Sequence, residues 1–272
     1  MELIQLSIAV GTHYIYTVQA GDTLYEIANR FSSSPQAIAE ANHLYPPVTA
    51  PELIFPGQLL VVSTAGNIDT YYMVAPGDTL TDITIRFSTT YGLMTAMNPA
   101  INNPDVIISG QQLDVPAFIY NVEPGDTLFQ IQQQFGIHRS EIIRANLGRP
   151  GFSPDIIWPG YSLIIPFPST ANITVTYPIP GTVIQDGFPV AGWVRSFEGN
   201  VLHQVRDSNG VIVSNERAAT ASQGAPAYGF FQSSLPFDRQ PTSDIGEVWV
   251  YTRSPRDGGI HDLVQVKIHF II

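Results

Sequence analysis

The chain contains no cysteine, which excludes disulfides, thiolate catalysis and cysteine-ligated metal. It contains no apolar run near the roughly 20 residues that span a bilayer. Met1–Val10 has no cationic start and only a short apolar stretch, so it does not read as a signal peptide. Charge is scarce, at 13% of residues, and mostly acidic: 12 Lys and Arg face 23 Asp and Glu, a net charge of −11. Binding to a polyanion draws most of its affinity from phosphate neutralisation by a basic face, so nucleic acid and anionic membrane surfaces are poor partners. A neutral ligand such as an acetylated sugar is compatible with this charge. Apolar residues at 44% are sufficient for packed cores, and 22 Gly with 22 Pro imply tight turns and short elements.

The sequence repeats. Gly-Asp-Thr-Leu occurs at Gly21–Leu24, Gly77–Leu80 and Gly125–Leu128. Phe31, Phe87 and Phe135 each follow the motif Gly by ten residues, and Asn42, Asn98 and Asn146 follow that Phe by eleven. Three copies of one module therefore occupy residues 14–63, 70–116 and 118–166.

Each copy opens on alternating residues, Tyr16/Val18, Tyr72/Val74 and Tyr120/Val122, which read as a short strand. A Gly turn follows, then a helix whose apolar stripe is Leu24, Ile27, Ala28 and Phe31 in the first copy. Thr23 with Glu26 and Thr127 with Gln130 fit a capping box, whereas Asp82, being shorter, reaches back to Thr79 less well. A second short helix carries Ile38/Ala41, Leu93/Ala96 and Ile142/Ala145, and the motif Asn is expected to end it in a left-handed conformation. Closing strands follow Gly57, Gly110 and Gly160, with Leu60/Val62, Leu113/Val115 and Leu163/Ile165 facing inward. The order is strand–helix–helix–strand, with the two strands expected to pair antiparallel. Between the Asn and the last Gly the spacing varies, at 15, 12 and 14 residues, and loop variation on a constant frame is where recognition usually sits.

Tyr-x-Val-x-x-Gly-Asp-Thr-Leu, Phe, Ala-Asn and Ile-x-Pro-Gly-Gln-x-Leu, in that order, resemble the LysM module. Copies one and three look complete; copy two has Ser109 for the Pro, Met97 before Asn98 and Thr84 for the helix Ala. The resemblance implies binding of glycans containing N-acetylglucosamine, such as peptidoglycan or chitin, in a shallow groove between the Gly turn and the loop before the last strand. By position, the groove of copy one would comprise Gly21, Asp22, Thr23, Leu24 and Tyr25 with Pro51, Glu52, Leu53 and Ile54. That of copy two would comprise Gly77, Asp78, Thr79, Leu80 and Thr81 with Pro104, Asp105, Val106 and Ile107. That of copy three would comprise Gly125, Asp126, Thr127, Leu128 and Phe129 with Pro154, Asp155, Ile156 and Ile157. The motif is also explained without a ligand, as a turn, a cap and one core Leu. Tyr25 and Phe129 suit a sugar face, which Thr81 does not; partial packing in the core is the favoured alternative for the two rings.

Phe167–Thr170 reads as a linker, and beyond it the helical period vanishes. Strands are expected at Ile173–Tyr177, Phe188–Val194, Val201–Arg206, Val211–Val213, Tyr228–Leu235, Glu247–Thr252 and Leu263–Ile271. That pattern suggests an Ig-like antiparallel sandwich over 172–272. Pro178-Ile179-Pro180-Gly181, Val190-Ala191-Gly192-Trp193, Val205-x-Asp207-x-x-Gly210 and Ser254-x-x-Asp257-Gly258 are similar to the immunoglobulin-like domain of bacterial spore germination proteins, the Gmad type. Arg253–Gly258 reads either as a recognition loop or, more simply, as a solvated hairpin turn.

No catalytic centre is expected. The six His form neither His-x-His nor His-Glu-x-x-His. His261 and His269 lie eight residues apart on a strand, about 26 Å, too far to share an ion. No cofactor or metal is implied. The fold expected is an α+β multidomain chain of three βααβ modules and a β-sandwich. The function expected is non-catalytic glycan binding in an extracytoplasmic cell wall or spore envelope, with the C-terminal domain docking a protein partner or acting as a spacer. The alternative is an assembly protein whose modules bind other proteins.

Overall fold

The computed structural model describes residues 7–50 and 53–271. Two compact units divide the chain: one holds the repeats apart from Gln132–Ile137, the other is Phe167–Ile272 with that short stretch.

The first repeat is β1 (Thr12–Thr17), α1 (Leu24–Phe31), α2 (Pro35–Ala41) and β2 (Leu59–Thr64). The second is β3 (Asp69–Met73), α3 (Leu80–Arg86), α4 (Tyr91–Met97) and β4 (Gln112–Asp114). The third is β5 (Ala117–Asn121), α5 (Leu128–Phe135), α6 (Arg139–Asn146) and β6 (Ser162–Pro166). First and last strands pair antiparallel in every copy. Thr23 caps α1 in a complete capping box, while Asp82 returns a bond to the Thr79 hydroxyl and not to its backbone.

The motif Asn departs from expectation. Asn42 (φ −117°) and Asn98 (φ −122°) are not left-handed, and Asn146 is the last residue of α6. Each works instead through its buried side chain. Asn42 Nδ2 donates to Ile38 O (2.8 Å) and Val61 O (2.7 Å), and its Oδ1 accepts from Val61 N (2.8 Å). Asn98 does the same with Met94 and Asp114, and Asn146 with Ile142 and Ile164. A side-chain amide offers both a donor and an acceptor, so it ties the helix end to the closing strand.

The repeats are not beads on a string. β1 also pairs parallel with β3, from Thr12↔Asp69 to Ile15↔Tyr72, giving one sheet in the order β2-β1-β3-β4. Ile8 forms a bridge to Tyr120 alongside β5. One core cluster combines Ile15, Leu59 and Val61 of the first repeat with Tyr72, Leu80 and Phe87 of the second and Ile119, Ala145 and Ile164 of the third. Leu59-Leu60-Val61-Val62 and Leu163-Ile164-Ile165 are buried throughout, because both faces of those strands are covered.

Arg149 joins the first and third repeats. Its guanidinium is buried over the Tyr161 ring, 4.3 Å from the centroid. One terminal nitrogen donates to Ala41 O (3.2 Å) and Asn42 Oδ1 (2.9 Å), the other to Asn146 Oδ1 (2.9 Å) and Ser162 O. Burial lowers its pKa. Arg86 donates from the second repeat to Leu147 O of the third (2.9 Å). Gly151 (φ +63°) lies against Val48, where a Cβ would meet a methyl at 2.5 Å. His43 stacks on Trp158 (5.1 Å, 17°). Part of the variable loops expected to serve recognition is thus consumed by packing between repeats.

The second unit contains β7 (Ile173–Tyr177), β8 (Val183–Ile184), β9 (Phe188–Val194), β10 (Asn200–Asp207), β11 (Ile212–Thr220), β12 (Gly229–Leu235), β13 (Ile245–Arg253) and β14 (Ile260–Phe270). Sheets β11-β10-β13-β14-β8 and β12-β9-β7 enclose a core that includes Val175, Val190, Val205, Phe231, Val248 and Val266. Phe167–Thr170 is already part of this unit: Val175 N donates to Pro168 O, and Ser169 bridges Thr174. β11 is far longer than the expected Val211–Val213. Asn215–Ala219 lack strand formers, yet Glu216 is held by Arg253 and Tyr251, and Arg217 by Asp238 (2.8 Å). β11 lies at the sheet edge, where charged side chains block pairing with another chain.

Candidate functional site: the turn–loop grooves

The motif Gly residues have φ of +89°, +90° and +94°. A Cβ at any of them would meet nothing within 4 Å, so backbone conformation alone requires Gly. The following Asp fixes the turn. Asp22 Oδ2 accepts from Gln19 N (2.7 Å) and Tyr16 Oη (2.6 Å), Asp78 from Ala75 N and Tyr72 Oη (both 2.8 Å), and Asp126 from Glu123 N (2.8 Å) and Tyr120 Oη (2.7 Å). In the first copy Arg30 also donates to Tyr16 Oη (2.6 Å). Burial, then the Asp22 hydrogen bond and charge, push the Tyr16 hydroxyl up to about 12. This Tyr–Asp bond is absent from the sequence reading, although Tyr stands six residues before Asp in all three copies. The motif Leu side chains are core residues, so Leu24, Leu80 and Leu128 can offer a ligand only backbone.

The next position is different. Tyr25 is 68% exposed and Phe129 62% exposed, so neither is a core side chain. The favoured packing alternative fails because the stripe of each helix is already filled by Leu, Ile and Phe three and four residues apart.

In the third copy the two segments meet around a cavity of about 340 Å³. Asp126, Thr127, Leu128 and Phe129 line one side, Pro154, Asp155, Ile156 and Ile157 the other, and Arg139 completes the wall. Arg139 is missing from the sequence reading; its signal was position, at the start of the second helix. In the first copy Leu53 is exposed and Ile54 packs against the core, while Pro51 and Glu52 lie outside the described residues. In the second, Asp105 and Val106 are exposed, Pro104 is half-buried and Ile107 packs against the core. Thr23, Thr79 and Thr127 are exposed at the helix starts, where their hydroxyls accept from Glu26, Asp82 and Gln130 N. The third-copy groove sets one exposed aromatic ring and the apolar Pro154, Ile156 and Ile157 beside the polar Thr127 and the charged Asp126, Asp155 and Arg139, a mixed apolar and polar lining suited to a small ligand.

The sandwich has a cavity of about 740 Å³ lined by residues that include Arg195, Phe197, Leu202, Arg253, Pro255 and His261. Its charges are internally matched. Asp262 accepts from Asn172 (2.9 Å) and His261 (2.8 Å), Asn172 accepts from Arg195, and Arg253 is paired with Glu216 and with Gly258 O at the hairpin. Among the described residues no group of three His, Asp or Glu is placed to hold a metal ion, and no helix is long and apolar enough to cross a membrane.

Comparison with known proteins identifies the domains. The LysM domain matches residues 16–63, 72–116 and 120–166, and the immunoglobulin-like domain of bacterial spore germination, Gmad2, matches 172–259. The chain belongs to the LysM family, with a Gmad2 domain following its three LysM domains. It is similar to an autolysin of Enterococcus faecalis, 26% identical over 76% of this chain and 32% of that protein. N-acetylmuramoyl-L-alanine amidase sle1 of Staphylococcus epidermidis is 29% identical over 59% of this chain and 55% of its own length. The secreted LysM effector ECP6 of Passalora fulva is 28% identical over 56% of this chain and 76% of its own. The chain thus spans less than two thirds of either bacterial relative. Among solved structures, the spore cortex-lytic enzyme SleL of Bacillus cereus is 35% identical over 38% of this chain and 23% of that one, with a TM-score of 0.28.

Proposed function

We propose that this protein binds N-acetylglucosamine-containing glycans without cleaving them, peptidoglycan first and chitin second, in a bacterial cell wall or spore envelope. The binding residues proposed are those of the three turn–loop grooves. The observation that carries the reading is the third-copy cavity, where both expected segments line one space beside an exposed aromatic ring. The relatives support it: an autolysin and an N-acetylmuramoyl-L-alanine amidase are named for wall chemistry, and the N-acetylmuramoyl group is a constituent of peptidoglycan. The absence of cleavage rests on the two matched families, which are both binding-type domains, and on the carboxylates of the turns, which are committed to Tyr hydroxyls and backbone N–H groups. The Gmad2 domain docks a protein partner. Phe197, 82% exposed on the wall of the 740 Å³ cavity, favours that role and keeps protein assembly as the second reading.

Co-sedimentation of the full chain with insoluble peptidoglycan and with chitin tests the proposal. Retention is expected, and Tyr25→Ala with Phe129→Ala should reduce it severalfold. Both rings are exposed, so the double variant should keep its stability within about 1 kcal/mol. Full retention by that variant, or none by the parent, contradicts the groove reading.

A further inference from the structure

The second repeat lacks the aromatic that follows the motif Leu in its sisters: Thr81 stands where Tyr25 and Phe129 stand. The rest of its turn is intact. Asp78 holds Tyr72 and Ala75 as in the other copies, and Asn98 ties α4 to β4. The Thr84 that replaces a helix Ala is satisfied by donating to Thr81 O (2.8 Å).

Counting seven residues back from the motif Asn gives Pro35, Tyr91 and Arg139, each the first residue of its second helix. In the third repeat this position lines the groove, since Arg139 and Phe129 border the same cavity. In the second repeat the Tyr91 hydroxyl lies 2.5 Å from the Thr81 hydroxyl, so the tip of the Tyr91 side chain reaches the residue that stands in place of the aromatic. Tyr91 is 39% exposed, and α4 is anchored beneath it by the Thr90 cap on Leu93 N (3.2 Å).

We propose that Tyr91 is the sugar-stacking residue of the second repeat, supplying from α4 the ring that Tyr25 and Phe129 supply from α1 and α5. The ligand is the apolar face of a pyranose ring in an N-acetylglucosamine unit, and the proposal rests on the glycan reading above. It makes the second repeat a third binding site and not a spacer. The hydroxyl pair orients the ring; the ring itself makes the contact.

The test is an amide chemical-shift titration of the full chain with the N-acetylglucosamine tetramer, comparing the parent, Tyr91→Ala and Tyr91→Phe. In the parent, amides of 77–81 should shift together with those of 21–25 and 125–129. Tyr91→Ala should weaken binding at 77–81 by about tenfold, and Tyr91→Phe should stay within about threefold of the parent. Binding at the other two turns should be unchanged in both variants, which also reports that the fold is intact. An unchanged affinity at 77–81 in Tyr91→Ala overturns the proposal, as does a parent in which only 21–25 and 125–129 respond. Silence at all three turns is a different result: it overturns the glycan reading itself.

Discussion

Asn42, Asn98 and Asn146 occupy one position in the repeat and make the same helix-to-strand bonds, but only Asn42 and Asn146 also accept from Arg149. The three are therefore not equivalent. Asn98→Ala removes a local tie, whereas Asn42→Ala removes the tie and leaves a buried guanidinium short of an acceptor. Each lost hydrogen bond to a charged group is worth about 1.5–3 kcal/mol, so Asn42→Ala should cost roughly 2 kcal/mol more than Asn98→Ala in urea unfolding of the full chain. Arg149→Met should lower stability as much or more, because it leaves Ala41 O and Ser162 O without this donor. Equal costs at Asn42 and Asn98 would show that Arg149 does not bind the repeats together. The sequence shows the Asn at a fixed spacing; it does not show Arg149 as its partner, since Arg149 has no counterpart in the other copies and the contact spans 107 residues.

The strand–helix–helix–strand element was legible from periodicity, caps and turn residues, because each of those signals acts within a few residues. How the elements associate depends on contacts distant in sequence. The signal existed in Leu59-Leu60-Val61-Val62 and Leu163-Ile164-Ile165, where continuous apolar runs mark strands covered on both faces, unlike the alternation of a strand with one wet face. Likewise Asn215–Ala219 carry no strand propensity, so the sequence implies a β11 shorter than the one observed, and the partners Arg253, Tyr251 and Asp238 show what holds these residues. Within the groove the turn segment was legible and Arg139 and Tyr91 were not, because a second helix must fold back before they approach it. The turn yields a prediction of its own. Gly125→Ala forces a side chain into a φ of +94° with no steric clash, so thermal unfolding should show a loss of about 1–2 kcal/mol from backbone strain alone. No loss would mean that the turn relaxes to another conformation.

For the whole molecule, the shared core and parallel β1–β3 pairing join the three repeats within one compact unit. Under the proposed glycan reading, avidity would depend on whether a glycan chain matches that arrangement, not on linker length. Each unit also buries a neutral His. Burial, chiefly, pushes His13 in the first unit and His203 in the second down to about 4, with Arg217 adding to the shift of His203. The unfolded chain takes up these protons near pH 6.5 and the folded chain only near pH 4, so stability is full above pH 6.5 and falls as pH drops toward 4. Each shift corresponds to roughly 3 kcal/mol at most. Urea midpoints measured from pH 7 to pH 4 should fall in both units, and a flat profile would contradict the buried neutral state.

The most direct measurement is calorimetric titration of the full chain with N-acetylglucosamine oligomers from dimer to hexamer. The account predicts saturable binding that tightens with length and weakens when Tyr25 and Phe129 are replaced by Ala. No saturable binding at any length, with the protein folded, would contradict it and move the function to protein assembly.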